Sequence, residues 1–274
     1  MKIAGLLILT ALAAGAADVS QIMARVGANQ QSARATRQFY VYRQEQLLRM
    51  HRGNGKLARE EQAEYVVTPL KQNFEKHLTK FAGKYELKGQ YVPYDQPDFH
   101  YRGVDLDADL MQSMAEDLMN DKKSRDGIGQ DLFPLATGEQ GKYDFRLVGT
   151  EIYHGRSAYR VAFQPKPHLE DGASWKGEAL IDAAEYQPIL VVTSLAEKVP
   201  LLVKTLLGTD IKGLGFSLTY RKFADGVWFP VSYGGEFAVR GLFFYKRKIS
   251  VSMQNSDFRK TDVSSTVAYV TDAH

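Results

Sequence analysis

The chemistry this chain could perform is best sought first in an acidic run. Asp105-x-Asp107-x-Asp109, with Glu116 at the twelfth position, partly mimics a calcium-binding loop. Such a loop needs glycine at its sixth position for a sharp turn, and Leu110 stands there. The same acids suit the first turn of a helix, where the dipole favours negative charge. The histidines (His51, His77, His100, His154, His168 and His274) form neither H-E-x-x-H nor another close metal pair. No serine lies in G-x-S-x-G, so the usual hydrolase elbow is missing. The absence of cysteine removes thiol catalysis, zinc–thiolate sites and iron–sulfur clusters. The chain therefore reads as a non-enzyme, with no cofactor and no metal.

Two further stretches point toward surfaces. Val199-Pro200-Leu201-Leu202-Val203-Lys204-Thr205-Leu206-Leu207-Gly208 is densely apolar. Leu201, Leu202, Val203, Leu206 and Leu207 could form a lid over an apolar cavity or touch a membrane transiently. The plainer reading is a short helix packed on a sheet. Lys246-Arg247-Lys248 follows Phe243-Phe244-Tyr245. That junction suits an anionic lipid surface, or simply a solvated strand end whose charges blunt edge pairing.

Local patterns predict the elements that must position these residues. Met1-Lys2, the apolar run Ile3 to Ala14 and the small residues Ala14-Gly15-Ala16 read as a cleaved secretory signal, too short to span a bilayer. The expected product begins near Ala17, is exported to the periplasm, and has no cysteine for a lipid anchor. Val19, Ile22, Met23 and Val26 share one face of a helix capped by Asp18 or Ser20, with Gly27 as a weak point. From Gln38 the period becomes two, and Asn54-Gly55 marks a hairpin. Residues 70–103 are ambiguous. Residues 105–122 form the clearest internal helix, with Leu106, Leu110, Met114 and Leu118 on one side and Met111 and Met119 beside it. Alternating runs follow from Tyr143 onward. His154-Gly155, Asp225-Gly226 and Gly234-Gly235 are read as turns between them, which predicts an antiparallel meander. The expectation is one β-rich domain over 17–274, with a partly helical insert at 70–135.

The later motifs carry a resemblance. Tyr159-Arg160-Val161-Ala162-Phe163 precedes Trp175-Lys176-Gly177-Glu178-Ala179-Leu180-Ile181-Asp182, then Tyr186-Gln187-Pro188-Ile189. Tyr220-Arg221-Lys222-Phe223-Ala224-Asp225-Gly226-Val227-Trp228-Phe229-Pro230 comes later. Over about residues 140–260 this resembles the strand pattern of the LolA/LolB-like outer-membrane lipoprotein-sorting superfamily. The resemblance implies an α+β, mostly antiparallel fold: a curved half-barrel sheet packed on an N-terminal and an internal helix, with an apolar cavity for acyl chains. It implies no enzyme.

The 274 residues carry a net charge of +3, with 44% hydrophobic and 24% charged residues, which is ordinary for a globular chain. So small a charge without a basic stripe gives no reason to expect nucleic acid. The leading expectation is a periplasmic carrier of a lipid or other hydrophobic ligand. Phe216, Leu218, Phe229, Val231, Phe237, Val239 and Phe243 are its candidate lining, because parity places each set on one strand face. The alternative is an envelope interaction module that binds a protein partner as a sensor or adaptor. An enzyme with an unconventional site and an outer-membrane barrel are weaker readings.

Overall fold

The computed structural model describes residues 18–70, 74–101, 103–120, 134–167, 175–196, 210–223, 225–241 and 245–261. The signal reading, the apolar segment 199–208 and Phe243 lie outside them.

Asp18 caps the first helix, α1 (Val19–Arg37), by accepting from the Ser20 amide at 2.9 Å. The helix runs through Gly27, because a side chain there would meet Thr137 Oγ1 at 2.6 Å. Thr137 belongs to the short helix α3 (Thr137–Gln140), so glycine is what lets the two helices touch. Between them in sequence lie α2 (Leu106–Met114) and a π-helical turn (Ala115–Met119). That turn corrects the predicted helical stripe. A π turn returns to the same side after about five residues, so Met119 follows Met114 into the core while Leu118 is only partly buried. Leu106, at the helix start, is 40% exposed.

The strands are β1 (Tyr40–Arg52), β2 (Leu57–Pro69), β3 (Phe74–Leu87), β4 (Gln90–Tyr94), β5 (Tyr143–Tyr153) and β6 (Arg156–Pro165), then β7 (Trp175–Asp182), β8 (Pro188–Leu195), β9 (Asp210–Lys212), β10 (Gly215–Lys222), β11 (Trp228–Gly241) and β12 (Tyr245–Lys260). They form one curved, unclosed antiparallel sheet in the order β4-β3-β2-β1-β12-β11-β10-β8-β7-β6-β5, with β9 added on β11. This is the half-barrel with helices that the sequence predicts, and it does not close into a barrel. The ambiguous stretch from residue 70 contributes β3, paired to β2 from Arg59↔Tyr85 to Pro69↔Phe74.

One predicted turn is absent. Gly234 and Gly235 lie inside the continuous strand β11, which pairs with β12 from Ser232↔Gln254 to Gly241↔Tyr245. A Cβ on Gly235 would fall 2.3 Å from the Gly215 carbonyl oxygen and 2.5 Å from the Phe216 ring. The glycine pair marks close approach of backbone and ring rather than a reversal. The Asn54-Gly55, His154-Gly155 and Asp225-Gly226 turns do form, each with its glycine at positive φ.

A single hydrophobic cluster joins α1, α2 and the covered face of the sheet. Its members include Ile22, Met23 and Val26 from α1, Leu110, Met111 and Met114 from α2, and Leu48, Met50, Phe163, Trp175 and Ile249 from the strands. Side-chain bonds fasten α1 to the strands: Asn29 Nδ2 donates to the Glu185 carbonyl at 2.7 Å, and Arg37 Nη1 to the Trp228 carbonyl at 3.0 Å.

Candidate functional site

The acidic run is a clamp. Asp105 caps α2 by accepting from the Ala108 amide at 3.0 Å, and also accepts from the Tyr101 amide at 3.0 Å and Arg59 Nη1 at 2.9 Å. Asp107 accepts from Arg247 Nε at 2.8 Å and from the Tyr245 hydroxyl at 2.7 Å. Asp109 lies 2.9 Å from His100 Nε2. The three carboxylates thus tie the start of α2 to β2, to β12 and to the 95–101 loop. Among the described residues no group of three acids or histidines could hold a metal ion. Arg247, the middle residue of the basic run, is spent on this clamp, while Lys248 pairs with Glu236 at 2.7 Å on the exposed side.

Arg59 is the centre of the arrangement. Its side chain is 2% exposed, yet it carries a full charge. Nε donates to the Tyr94 hydroxyl at 2.8 Å and to Glu61 Oε1 at 3.2 Å, and Nη2 donates to the Phe99 carbonyl. Burial alone would lower its pKa; Tyr94, Glu61 and Asp105 outweigh it and hold the guanidinium charged. Burial likewise works against the Asp105 carboxylate, but the Tyr101 and Ala108 amides and Arg59 keep its pKa below the ordinary value. One side chain from β2 therefore fixes both the 95–101 loop and the cap of α2. Asp98 in that loop adopts φ +60°, a conformation that persists only when the surroundings enforce it.

Beneath this loop the protein encloses a cavity of about 220 Å³, open at one side. Leu48, Ala63 and Ala108 give it an apolar floor, with Gln46 and Arg59 as buried polar members. Tyr65, Phe81 and Phe99 line its walls, and Asp98, His100 and Glu116 stand at the exposed rim. The lining is amphipathic rather than purely apolar. A chain of amides runs below it: Asn255 Nδ2 donates to the Pro230 carbonyl at 2.9 Å, Gln44 Nε2 to Asn255 Oδ1 at 2.9 Å, and Gln46 Nε2 to Gln44 Oε1 at 2.9 Å. Gln46 Nε2 also reaches Asn120 Oδ1 at 3.1 Å, which accepts from Lys76 Nζ at 2.7 Å.

Lys76 comes from the stretch the sequence left ambiguous. Its ammonium lies 5.6 Å from the Tyr65 ring centre and 4.9 Å from that of Phe74. Burial pulls its pKa from 10.5 down to about 7. Between those values the unfolded chain holds a proton that the folded protein has released, so protonation favours unfolding there. Stability is expected to rise as pH increases from about 7 toward 10.5. In Lys76→Met that rise should flatten. Urea midpoints for both proteins at pH 7 and pH 9.5 test this, and parallel pH dependences would exclude the effect.

The described members of the predicted lining lie outside this cavity. Phe216, Leu218, Phe237 and Val239 are buried together in the main core cluster, where Phe216 stacks on Tyr233 with ring centres 5.4 Å apart. Phe229 is buried against Tyr40, Phe223 and Phe258 at 4.9, 5.4 and 4.2 Å. Val231 is half-buried beside a register shift between β10 and β11. None of them lines the 220 Å³ cavity. The residues that do come from 46–120, a stretch that joins a strand and a helix legible in sequence through the ambiguous residues 70–103. The crowding of Tyr91, Tyr94, Phe99 and Tyr101 around Pro93 and Pro97 was the available signal.

No family model matches the sequence, and no curated protein matches it. Solved structures do match over nearly the whole chain. A DUF1329 family protein from Desulfovibrio piger is 13% identical, with a TM-score of 0.39, covering 90% of this chain and 94% of its own. A domain from Vibrio parahaemolyticus described as outer membrane lipoprotein-sorting is 12% identical, TM-score 0.39, covering 92% and 96%. A LolA superfamily protein from Nitrosomonas europaea is 9% identical, TM-score 0.33, covering 90% and 96%. The chain resembles these proteins; its site is described by its own side chains. Among the described residues no helix is long and apolar enough to cross a membrane.

Proposed function

We propose that this protein binds a hydrophobic or amphiphilic ligand of the lipid class in the cavity between β1, β2, β3 and α2, and does so as an exported envelope protein. The observation that carries the reading is the open cavity itself: about 220 Å³ of space over Leu48, Ala63 and Ala108. An apolar cavity of about 150 Å³ suffices for a benzene-sized guest, so this one accepts a larger group. The buried clamp around Arg59 keeps the walls in place before a ligand arrives, which limits the ordering cost of binding.

Native mass spectrometry of protein purified without detergent tests the reading. A co-purifying mass that leaves on denaturation is expected, or uptake of added decanol and phospholipid by the empty protein. Ala115→Phe, on a half-buried wall, should reduce uptake by about tenfold or more while the circular dichroism spectrum is retained, because the added ring competes for the same volume. A folded, empty protein that refuses every such ligand would sink the proposal. Export predicts an N-terminus near Ala17 on protein recovered from the periplasmic fraction; an intact Met1 there would contradict it.

A second reading rests on the edge strand β5, where Ile152 is 72% exposed and Val148 43%. Among the described residues nothing pairs with the outer edge of β5, and such an edge with exposed β-branched residues suits strand addition by a protein partner. Ile152→Lys should then abolish co-purification of that partner without altering ligand content.

A further inference from the structure

The cavity's charge opposes that of the whole molecule. The chain carries +3, yet Glu61, Asp98 and Glu116 line the cavity alongside Arg59 and His100. Glu61 and Asp105 are committed to Arg59, and Asp109 to His100. Lys76 is held by Asn120 and the Met119 carbonyl. Among the described residues Asp98 and Glu116 have no ion-pair partner, and with His100 and Lys76 both charged the described acids at the mouth still outnumber the described cations.

Two features of the interior bear on the guest. Gln46 is 3% exposed, and both hydrogens of its side-chain amide are spent, at 2.9 Å on Gln44 and 3.1 Å on Asn120. No donor among the described residues reaches its Oε1, which leaves this acceptor for whatever occupies the open cavity. The aromatic wall already holds one cation: the Arg59 guanidinium lies 5.9 Å from the Phe99 ring centre. Ring faces attract cations within about 6 Å, and quaternary ammonium groups are recognised by aromatic walls in this way.

We infer that the cavity selects a ligand with a positively charged organic head, an ammonium group received at the Asp98–Glu116 mouth and the aromatic wall, with its apolar part over Leu48, Ala63 and Ala108. The inference rests on the binding reading above and adds the sign of the ligand's charge. An anionic amphiphile would meet Asp98 and Glu116 as like charges.

Calorimetric titration of the whole protein with decyltrimethylammonium, decyl sulfate, decanol and tetramethylammonium, each as a monomer at low ionic strength, tests it. Decyltrimethylammonium is expected to bind about tenfold or more tighter than decanol, decyl sulfate should bind weakest, and added salt should narrow the gap. Asp98→Asn and Glu116→Gln, both on the exposed rim, should each weaken the cation about threefold to fivefold more than they weaken decanol. Equal binding of decanol and the cation, or a preference for decyl sulfate, would overturn the charge selection while the hydrophobic-ligand reading stands. Failure of all four probes would overturn both. Tetramethylammonium binding as tightly as its decyl analogue would keep the cation site and overturn the lipid reading.

Discussion

Arg59→Met is expected to lower the unfolding free energy by about 3–5 kcal/mol, because it breaks a buried ion pair from one side only. The side chain removed is 2% exposed and serves Glu61, Asp105, the Tyr94 hydroxyl and the Phe99 carbonyl. Methionine fills much of the volume but leaves two partly buried carboxylates, 17% and 12% exposed, facing each other without a cation. Arg59→Lys should cost less but still be severe, since an ammonium cannot reproduce the guanidinium fork. Acid behaviour separates this account from simple loss of packing. A carboxyl whose folded pKa is depressed contributes stability at neutral pH that disappears as pH falls through that pKa. Asp105 is such a group, so the loss of stability on acidification should be smaller in Arg59→Met than in the native protein. Urea titrations at pH 7 and pH 3.5 read both effects. Hydrogen exchange should also rise at residues 97–101, because Arg59 is what ties that loop to β2. A variant as stable as the parent, with unchanged exchange in the loop, would show that the guanidinium organises nothing.

Gly235→Val should be nearly as damaging, for a different reason. The new Cβ would lie 2.3 Å from the Gly215 carbonyl oxygen and 2.5 Å from the Phe216 ring, so the backbone of β10 and the centre of the aromatic core must both move. Overpacking of this kind costs about 1–3 kcal/mol, with the upper end expected where the obstacle is backbone. Gly55→Ala, in the β1–β2 turn, is the useful contrast. Nothing lies within 4 Å of its Cβ, and its penalty comes only from φ +83°, so about 1 kcal/mol is expected. Thermal melts of the two variants should therefore separate them. If Gly235→Val melted with the parent, β10 and β11 would not approach as closely as described.

These two glycines also show how far local sequence can be read. Asn54-Gly55, His154-Gly155 and Asp225-Gly226 are turns because positive φ is a property of the residues themselves, and their chemistry is visible without any partner. Gly234-Gly235 carries the same local signal but lies in mid-strand, since the need for glycine arises from Phe216, nearly twenty residues earlier in the chain. The helix at Val19 and the alternating strands from Tyr143 are legible for the first reason: their apolar faces repeat with the period of the element that buries them. The π turn at Ala115–Met119 is not legible, because only packing decides whether Leu118 or Met119 turns inward.

The site follows the same division. Sequence alone determined the cap of the first helix, most strands and the absence of thiol chemistry, which depend on neighbours a few residues apart, and the resemblance over about residues 140–260 supplied the half-barrel. Sequence also placed the acids of α2 in a first helical turn. Only the tertiary structure decided what those acids hold, because Arg59, Tyr94, Phe99 and Asp105 meet across separations of 35 to 46 residues. It likewise decided that Phe216 and its neighbours are buried together, and that the cavity opens between β1, β2, β3 and α2. Parity tells which residues share a face of a sheet. What covers that face, and whether space is left beneath the cover, depends on how the distant parts of the chain pack over it.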